Sequence, residues 1–113
     1  LSGDSPSYWT NSLFDAPGLA MGIELGATGI SSPRSLLALG AQGMQRFDEL
    51  NAANNKEIEW TDGRYLGFIR LRIDHERAHA DFVTVSDVES LRYTTQAVHA
   101  VDIVHTNGSL GFE

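Results

Sequence analysis

The chain has 113 residues, of which 42% are hydrophobic and 20% charged, and its formal net charge is −7. This length supports one small domain, the composition is typical of a globular protein, and the negative charge argues against nucleic acids or anionic membranes as partners. The absence of cysteine excludes disulfides, cysteine-ligated zinc and a cysteine nucleophile, and no apolar run is long enough to span a membrane.

The start of the chain combines turn signals with one short apolar run. Turn-forming residues are frequent over residues 1–18, which predicts the end of a strand followed by a loop, with one helical turn around residues 8–13. The segment LAMGIEL, residues 19–25, is mostly apolar and stops at Gly26, so it predicts a buried strand.

A single long helix is predicted between residues 32 and 55. Ser32 is suited to the N-cap, and Pro33 occupies the first helical position, where its missing N–H costs nothing. Apolar or small residues at spacings of three and four then predict a buried stripe on one helix face. These residues are Leu36, Leu39, Gly43, Phe47 and Leu50. The pair Asn54-Asn55 predicts the end of the helix, and the acid pair Asp48-Glu49 is expected to be solvated.

The clearest hairpin in the second half is formed by residues 64–88. We predict antiparallel pairing with Ile73 opposite Ala78, because that register gives the hairpin one mostly apolar face. The same register places Arg70 opposite Asp81, so opposite charges face each other on the other side of the hairpin.

Further strands are predicted on both sides of this hairpin. EIEW, residues 57–60, predicts a short strand before the Asp62-Gly63 turn, and AVHAVDIVH, residues 97–105, predicts a longer one. Asn107-Gly108 matches a glycosylation acceptor with the following serine, but we interpret it as a tight turn into a last short strand. The predicted fold class is therefore α+β, a mainly antiparallel β-sheet with one main helix packed on it.

The histidines and serines do not form a catalytic or metal-binding pattern. His75 and His79 lie around the predicted hairpin turn, while His99 and His105 share a strand face at a separation of roughly 20 Å. Each is therefore interpreted as a surface or hairpin histidine. The serines considered as nucleophiles have no histidine near them in the sequence, so a serine nucleophile with its base is not indicated; they are Ser2, Ser5, Ser31 and Ser32.

The turn near the N-terminus is the candidate site for chemistry. Gly3-Asp4 directly follows a predicted strand, a position that presents a carboxylate at the edge of a sheet, where hard or borderline metals are held. Asp4 is therefore the candidate metal ligand, and a plain turn or capping role is the alternative.

Three ordered segments resemble the C-terminal part of the PhoD-like alkaline phosphatases, a family of metallophosphoesterases. They are LSGDSPSYWTNSL, GIELGATGISSP and RYLGFIRLRIDHERAHADFVTVSDV, which together cover most of residues 1–88. The family patterns are Ser/Thr-Gly-Asp-x-His with a following Trp and Ala-Asn, then Val-Glu-Phe/Leu leading to Ser-Pro, then an Arg-Gly-Tyr-like hairpin strand. By this resemblance, residues 1–113 are a single partial domain, the C-terminal segment of a phosphatase-like domain.

The resemblance implies part of a two-sheet β-sandwich whose site holds two metal ions, Ca, Fe, Mn or Zn. In the family these cations clamp a phosphomonoester or phosphodiester and activate the attacking hydroxide. Most of the metal ligands would lie upstream of this chain, so the chain alone is expected to be inactive. A periplasmic or secreted location is also implied.

The resemblance carries individual roles over to the first segment. Asp4 corresponds to a carboxylate at the edge of the metal site, and Trp9 and Asn11 correspond to substrate-proximal residues. Pro6 stands where the family has a metal-ligating histidine, and proline offers no lone pair to a metal. The residues that match the second segment are expected to be structural: Glu24, Ser31 and Ser32.

Two other hypotheses stand beside an inactive fragment. One is a stand-alone, non-catalytic α+β module for oligomerisation or binding, which Pro6 favours. The other is an unrelated enzyme with Asp/His chemistry, which no convergent cluster supports. A truncated sandwich would expose an apolar sheet face, so we expect a homo-oligomer that buries this face.

Overall fold

The computed structural model describes residues 1–30 and 37–113, except the side chains of Asp4 and Leu37. These residues contain eight strands, one α-helix and one short 3-10 helix. In chain order they are β1 (Ser2–Ser5), β2 (Tyr8–Phe14), β3 (Ala20–Thr28), the 3-10 helix (Leu37–Leu39), α1 (Gly40–Asn54), β4 (Ile58–Asp62), β5 (Gly67–Ile73), β6 (Arg77–Val85), β7 (Thr95–Thr106) and β8 (Ser109–Phe112).

The strands form two four-stranded sheets. Sheet A has the strand order β1-β3-β2-β4, and sheet B has the order β5-β6-β7-β8. Within these sheets β1 and β3 run parallel, and the other neighbouring strands run antiparallel. The predicted α+β class is confirmed, although the antiparallel strands are divided between two sheets rather than gathered in one.

The β5–β6 hairpin has the predicted register. Ile73 pairs with Ala78, and Arg70 pairs with Asp81. The apolar side of this hairpin includes Phe82, which is fully buried. A local pattern of alternation was enough to predict this pairing, because a one-residue slip would have moved each apolar side chain to the other face.

The last two strands also follow the sequence prediction. β7 pairs with β6, with an irregularity in register between Phe82 and Val83. Asn107 and Gly108 have φ angles of 49° and 78°, the left-handed pair that a two-residue hairpin turn requires. The Asn107-Gly108 turn therefore joins β7 to β8 as predicted.

Aromatic side chains fill the core between the two sheets. Tyr8 from sheet A and Phe82 from sheet B are fully buried, and their ring centroids lie 5.4 Å apart in an edge-to-face arrangement. Trp60 of β4 contacts Phe82 with a centroid distance of 5.0 Å. Leu25 and Ala80 are also buried in this cluster. The core thus joins strands that are distant in the sequence.

Residues 8–13, predicted to contain a helical turn, belong to strand β2. Tyr8, Thr10 and Ser12 are buried, and the backbone pairs with β3 on one side and β4 on the other. Two of these three buried positions are polar. The period of two is therefore invisible to hydrophobicity alone, which explains the wrong prediction.

Helix α1 buries a different face from the predicted one. Its buried residues are Met44 and Asp48, whereas Phe47 and Leu50 of the predicted stripe are exposed. The helix ends at Asn54 as predicted. The predicted start at Ser32 and Pro33, like Leu36 of the stripe, lies outside the described residues. Within the described part of the chain, no helix is long and apolar enough to cross a membrane.

Candidate functional site

The sequence-predicted site lies at the end of sheet A where β1 stops. β1 is parallel to β3, and β2 is antiparallel to both β3 and β4. The strand ends Ser5, Thr28 and Asp62 therefore lie at the same end of the sheet, next to Tyr8 at the start of β2. Turns after such strand ends can bring side chains from distant parts of the sequence together.

The turn after β1 is held by hydrogen bonds to one serine. The Oγ of Ser5 accepts hydrogen bonds from the indole Nε1 of Trp9 at 2.8 Å and from the backbone N–H of Ser7 at 3.3 Å. Pro6 between them is exposed. Asp4 lies within β1, one residue before its end, and its side chain is outside the described part, so its role as a metal ligand stays a prediction.

Asn11 and Glu24 form a polar pair on the face of sheet A that lies opposite the core. They are paired across β2 and β3, and the Nδ2 of Asn11 donates to the Glu24 Oε2 at 2.9 Å. The Oγ of Ser2 donates to the Glu24 Oε1, also at 2.9 Å. These hydrogen bonds, with Asn11 contributing most, lower the pKa of Glu24. Glu24 thus ties β1, β2 and β3 together, in accord with its predicted structural role.

The described residues of this face do not make up a two-metal site. Both carboxylate oxygens of Glu24 already accept hydrogen bonds, and Pro6 has no donor atom for a metal. The Oδ1 of Asn11 is buried without a hydrogen-bond partner among the described residues, and it is a type of oxygen that hard cations bind. Among the described residues, no group of three or more histidine, aspartate or glutamate side chains is placed to hold a metal ion.

A buried carboxyl group that the sequence did not reveal lies at the same end of sheet A. Asp48 of α1 is only 7% exposed, and its Oδ2 accepts a hydrogen bond from the Gly63 N–H at 2.9 Å. Its Oδ1 is buried without a partner in the described structure. Burial raises the pKa of Asp48, although the Gly63 hydrogen bond acts in the opposite direction. The expectation that Asp48 is solvated is wrong.

Arg64 holds the second buried carboxylate, that of Asp62. The Arg64 backbone N–H donates to the Asp62 Oδ1 at 2.8 Å, and its Nε lies 3.2 and 3.1 Å from the two carboxylate oxygens. The Nη2 donates to the Asp62 Oδ2 at 2.5 Å. This pairing raises the pKa of Arg64, which stays charged. The guanidinium also lies 5.2 Å from the ring centre of Tyr65.

Arg64 contributes to two open clefts at this end of the molecule. One has a volume of about 250 Å³ and lies between α1 and β4, where Asp48, Glu49, Glu59 and Asp62 line it. The other, of about 470 Å³, lies beside the start of β5 and the end of β6. Its charged lining residues are Arg64, Asp87 and Glu89. Because carboxylates outnumber the arginine in each, both clefts disfavour a free anion.

The histidines do not all behave as surface residues. His75 and His105 are exposed, whereas His79 is half-buried between two aspartates. His99 is half-buried and stacks on Trp60 with ring centroids 4.0 Å apart. Burial lowers the pKa of His99, which opposes the acquisition of a proton. The interpretation of His99 as a surface histidine is therefore corrected.

The structure brings Trp9, Asn11 and Glu24 into neighbouring positions on one face near the end of β1. Trp9 pairs with Gly26, next to the Asn11–Glu24 pair. The substrate-proximal roles of Trp9 and Asn11 stay predictions. Ser31 and Ser32 lie outside the described residues. The sequence could not have revealed Asp48 or Asp62 as site residues, because their burial depends on contacts between a helix and strands far apart in the chain.

Comparisons with known proteins give a structural match without a sequence match. The sequence matches no family model and no curated protein sequence. The solved structure of PhoD superposes on this chain with a TM-score of 0.72 and 17% sequence identity. The fold is similar to part of PhoD. The match covers 97% of this chain and 21% of the PhoD chain, so the likeness concerns the fold and about a fifth of that protein's length.

Proposed function

We propose that this chain is the C-terminal part of a PhoD-like metal-dependent phosphatase or phosphodiesterase, and that it is inactive alone. The observation that carries the proposal is the fold: 97% of the chain superposes on part of PhoD with a TM-score of 0.72. The three sequence segments in family order support the same assignment. In this proposal the phosphate-ester substrate, the two metal ions and the periplasmic or secreted location belong to the whole enzyme.

The proposed contribution of this chain is one edge of the active site. Asp4 is the proposed metal ligand, and Trp9 and Asn11 are proposed to lie near the substrate. The Ser5–Trp9 hydrogen bond and the Asn11–Glu24 pair support this proposal, because they fix the side chains beside the end of β1. Bound metal ions would supply charge stabilisation and an activated water. Their other ligands must come from residues outside this chain.

Hydrolysis of p-nitrophenyl phosphate and bis-p-nitrophenyl phosphate tests the proposal, with Ca²⁺, Mn²⁺ or Fe³⁺ added. We expect no turnover by the chain alone and metal-dependent turnover when the chain is joined to an upstream metallophosphoesterase segment. In the joined protein, Asp4→Ala should reduce turnover. Asp15→Ala should not, because Asp15 lies in the turn at the other end of β2. Robust metal-dependent turnover by the chain alone would refute the inactive-fragment proposal.

A non-catalytic module for binding or oligomerisation is the second candidate function. Pro6 supports it, because this residue replaces the histidine that the family uses at the metal site. The genomic sequence upstream of the Leu1 codon separates the two candidates. An in-frame continuation with metallophosphoesterase motifs supports the enzyme part, whereas a start codon and promoter support the module.

We also propose that the isolated chain forms a homo-oligomer. Large apolar side chains are exposed on both strands of the β2–β3 hairpin, near its turn. They are Leu13, Phe14, Leu19 and Met21, which are between 41% and 54% exposed. Exposed apolar side chains of this size favour association, because contact with another copy removes them from water.

A further inference from the structure

Charged side chains form a continuous chain of contacts across three strands of sheet B. The Nε and Nη2 of Arg70 donate to the Asp81 Oδ2 at 3.1 and 2.9 Å. The Nε2 of His79 lies 3.0 Å from the Asp81 Oδ1, and its Nδ1 lies 2.8 Å from the Asp102 Oδ1. The contacts therefore run from Arg70 in β5 through β6 to Asp102 in β7.

The two contacts of His79 require a specific protonation state. A carboxylate oxygen only accepts hydrogen bonds, and a neutral imidazole has a single N–H to donate. Only the doubly protonated ring can therefore donate to Asp81 and Asp102 at the same time. His79 pairs directly with Asp102 in the β6–β7 register, so the second contact joins two neighbouring strands.

We propose that His79 is a pH-dependent cross-link, in which the imidazolium joins Asp81 of its own strand to Asp102 of β7. Loss of one ring proton removes one of the two hydrogen bonds and leaves a carboxylate facing a ring nitrogen that no longer donates. The cross-link includes none of the residues proposed for the metal site, so it is independent of the proposed function.

Both positively and negatively charged side chains surround this cross-link. β5 contributes Arg70 and Arg72, and the Nη2 of Arg72 is 3.9 Å from the Asp81 Oδ2. Other charged groups near His79 are Arg77 of β6, which pairs with Glu113 at 3.4 Å, and Asp74 of the hairpin turn. The arginines disfavour a charge on His79, but the two carboxylates are in direct contact with the ring and favour it.

The pKa of His79 is shifted in the direction that this geometry requires, toward the protonated ring. The hydrogen bond to Asp102, followed by that to Asp81, raises the pKa of His79 above the ordinary value of about 6.5. The stabilisation is therefore fully present below the pKa that His79 has in the unfolded chain. It is lost as pH rises through the pKa that His79 has in the folded chain.

Titration of the histidine ring nitrogens by ¹⁵N NMR in the 113-residue chain tests the cross-link directly. We expect the His79 midpoint to lie above about 6.5, with both ring N–H groups protonated on the acid side. Asp102→Asn keeps the side-chain shape but removes the charge, so it should lower that midpoint. A His79 midpoint at or below about 6.5, or one that Asp102→Asn does not change, would overturn the proposal.

Unfolding by urea at several pH values gives a second, independent test. The stability difference between the native chain and His79→Gln should shrink as pH rises through the His79 midpoint. His75→Gln is the matched control, because His75 is exposed in the turn of the same hairpin. The stability difference between His75→Gln and the native chain should not change as pH passes through the His79 midpoint. A His79→Gln difference that is constant with pH contradicts the cross-link, and the native-chain titration decides the matter if this variant does not fold.

Discussion

At the scale of single residues, Gly67 of sheet B lies in close contact with Thr28 and Tyr8 of sheet A. Its N–H donates to the Thr28 Oγ1 at 3.1 Å, and the Tyr8 hydroxyl donates to the Val83 carbonyl at 2.8 Å beside it. A Cβ at position 67 would overlap both the Val83 carbonyl oxygen and the Tyr8 hydroxyl. Position 67 therefore requires glycine, because there is no space for a side chain.

We expect Gly67→Ala to lower the free energy of unfolding by about 3 kcal/mol, because a backbone carbonyl cannot move aside without disturbing its strand. Urea unfolding measures this loss. Gly111→Ala is the matched control, since Gly111 also lies in a sheet B strand and a Cβ added there meets no atom of the described part of the chain within 4 Å. Equal losses of stability in the two variants would show that the effect does not come from steric overlap at position 67.

The sequence predicted part of this arrangement. The predicted register, with Ile73 opposite Ala78, also places Gly67 opposite Thr84, and the structure confirms that pairing. The sequence could not predict that Tyr8 contacts Val83, because these residues are separated by 75 positions and belong to different sheets. Hairpin pairing follows from a local period of two, whereas contact between two sheets depends on how the whole chain packs.

At the scale of elements, helix α1 packs through a polar contact of Asp48 and through Met44, not through the apolar stripe that the sequence predicted. The buried Gly63 N–H needs an acceptor, and the Asp48 Oδ2 provides it. Met44, one turn earlier in the helix, packs against Gly63 so closely that a Cβ there would overlap its methyl group. The exposed positions of Phe47 and Leu50 follow from this orientation. A hydrophobic pattern alone therefore selected the wrong face.

Asp48→Asn should stabilise the chain increasingly as pH rises above about 4. The folded pKa of Asp48 is raised by burial, so its neutral form is favoured and the stability associated with that form is lost as pH rises through the folded pKa. Asparagine keeps an oxygen for the Gly63 N–H without a charge, so we expect the variant to gain stability over the native chain as Asp48 ionises.

The comparison uses the difference in urea unfolding free energy between Asp48→Asn and the native chain, measured from pH 4 to pH 8. Glu49→Gln is the control, because this neighbouring acid is exposed on the same helix. A difference that stays constant over this range, or that matches the one for Glu49→Gln, would mean that burial of Asp48 does not oppose its ionisation.

The partner of strand β4 could not be predicted from local sequence patterns either. Asp62-Gly63 was predicted as a turn that ends a strand, and β4 does end at Asp62. The next strand, however, belongs to the other sheet, and β4 pairs with β2 near the start of the chain. Tyr8 is paired with Asp62 across 54 positions of sequence. No local pattern specifies such a partner, because the choice depends on the fold of the intervening residues.

At the scale of the whole molecule, the exposed apolar hairpin end gives a test of self-association. Light scattering on the isolated chain should give a mass above that of the monomer. Leu13→Ser together with Met21→Ser should shift the mass toward the monomer, because both side chains are about half exposed on this hairpin. Leu91→Ser is the control, since Leu91 is fully exposed in the segment between β6 and β7. A monomeric native chain would contradict the proposed homo-oligomer.

The two sheets are held together by a cluster of rings that includes one histidine. Tyr8 and Trp60 of sheet A contact Phe82 of sheet B, and His99 of sheet B stacks on Trp60. Burial lowers the pKa of His99, while the charge of Asp62 partly opposes this effect. The neutral form of His99 is therefore the one that fits between the sheets.

Acid should consequently weaken the contact between the sheets through His99. A lowered folded pKa gives stability that is present above the unfolded pKa of about 6.5 and is lost as pH falls toward the folded value. This dependence is opposite in sign to that expected for His79, so the two contributions partly cancel in the native pH profile. Variants that remove one histidine at a time are needed to separate them.

His99→Phe keeps a flat ring for Trp60 and removes the titration, so its stability relative to the native chain should increase as pH falls below about 6.5. Unfolding followed by tryptophan fluorescence measures this difference. His105→Phe is the control, because His105 lies on the same strand but is exposed. If both variants gave the same pH profile, protonation of His99 would not be what loosens the two sheets. A profile specific to His99→Phe would instead locate the acid-sensitive contact at the interface that makes the two sheets one cooperative unit.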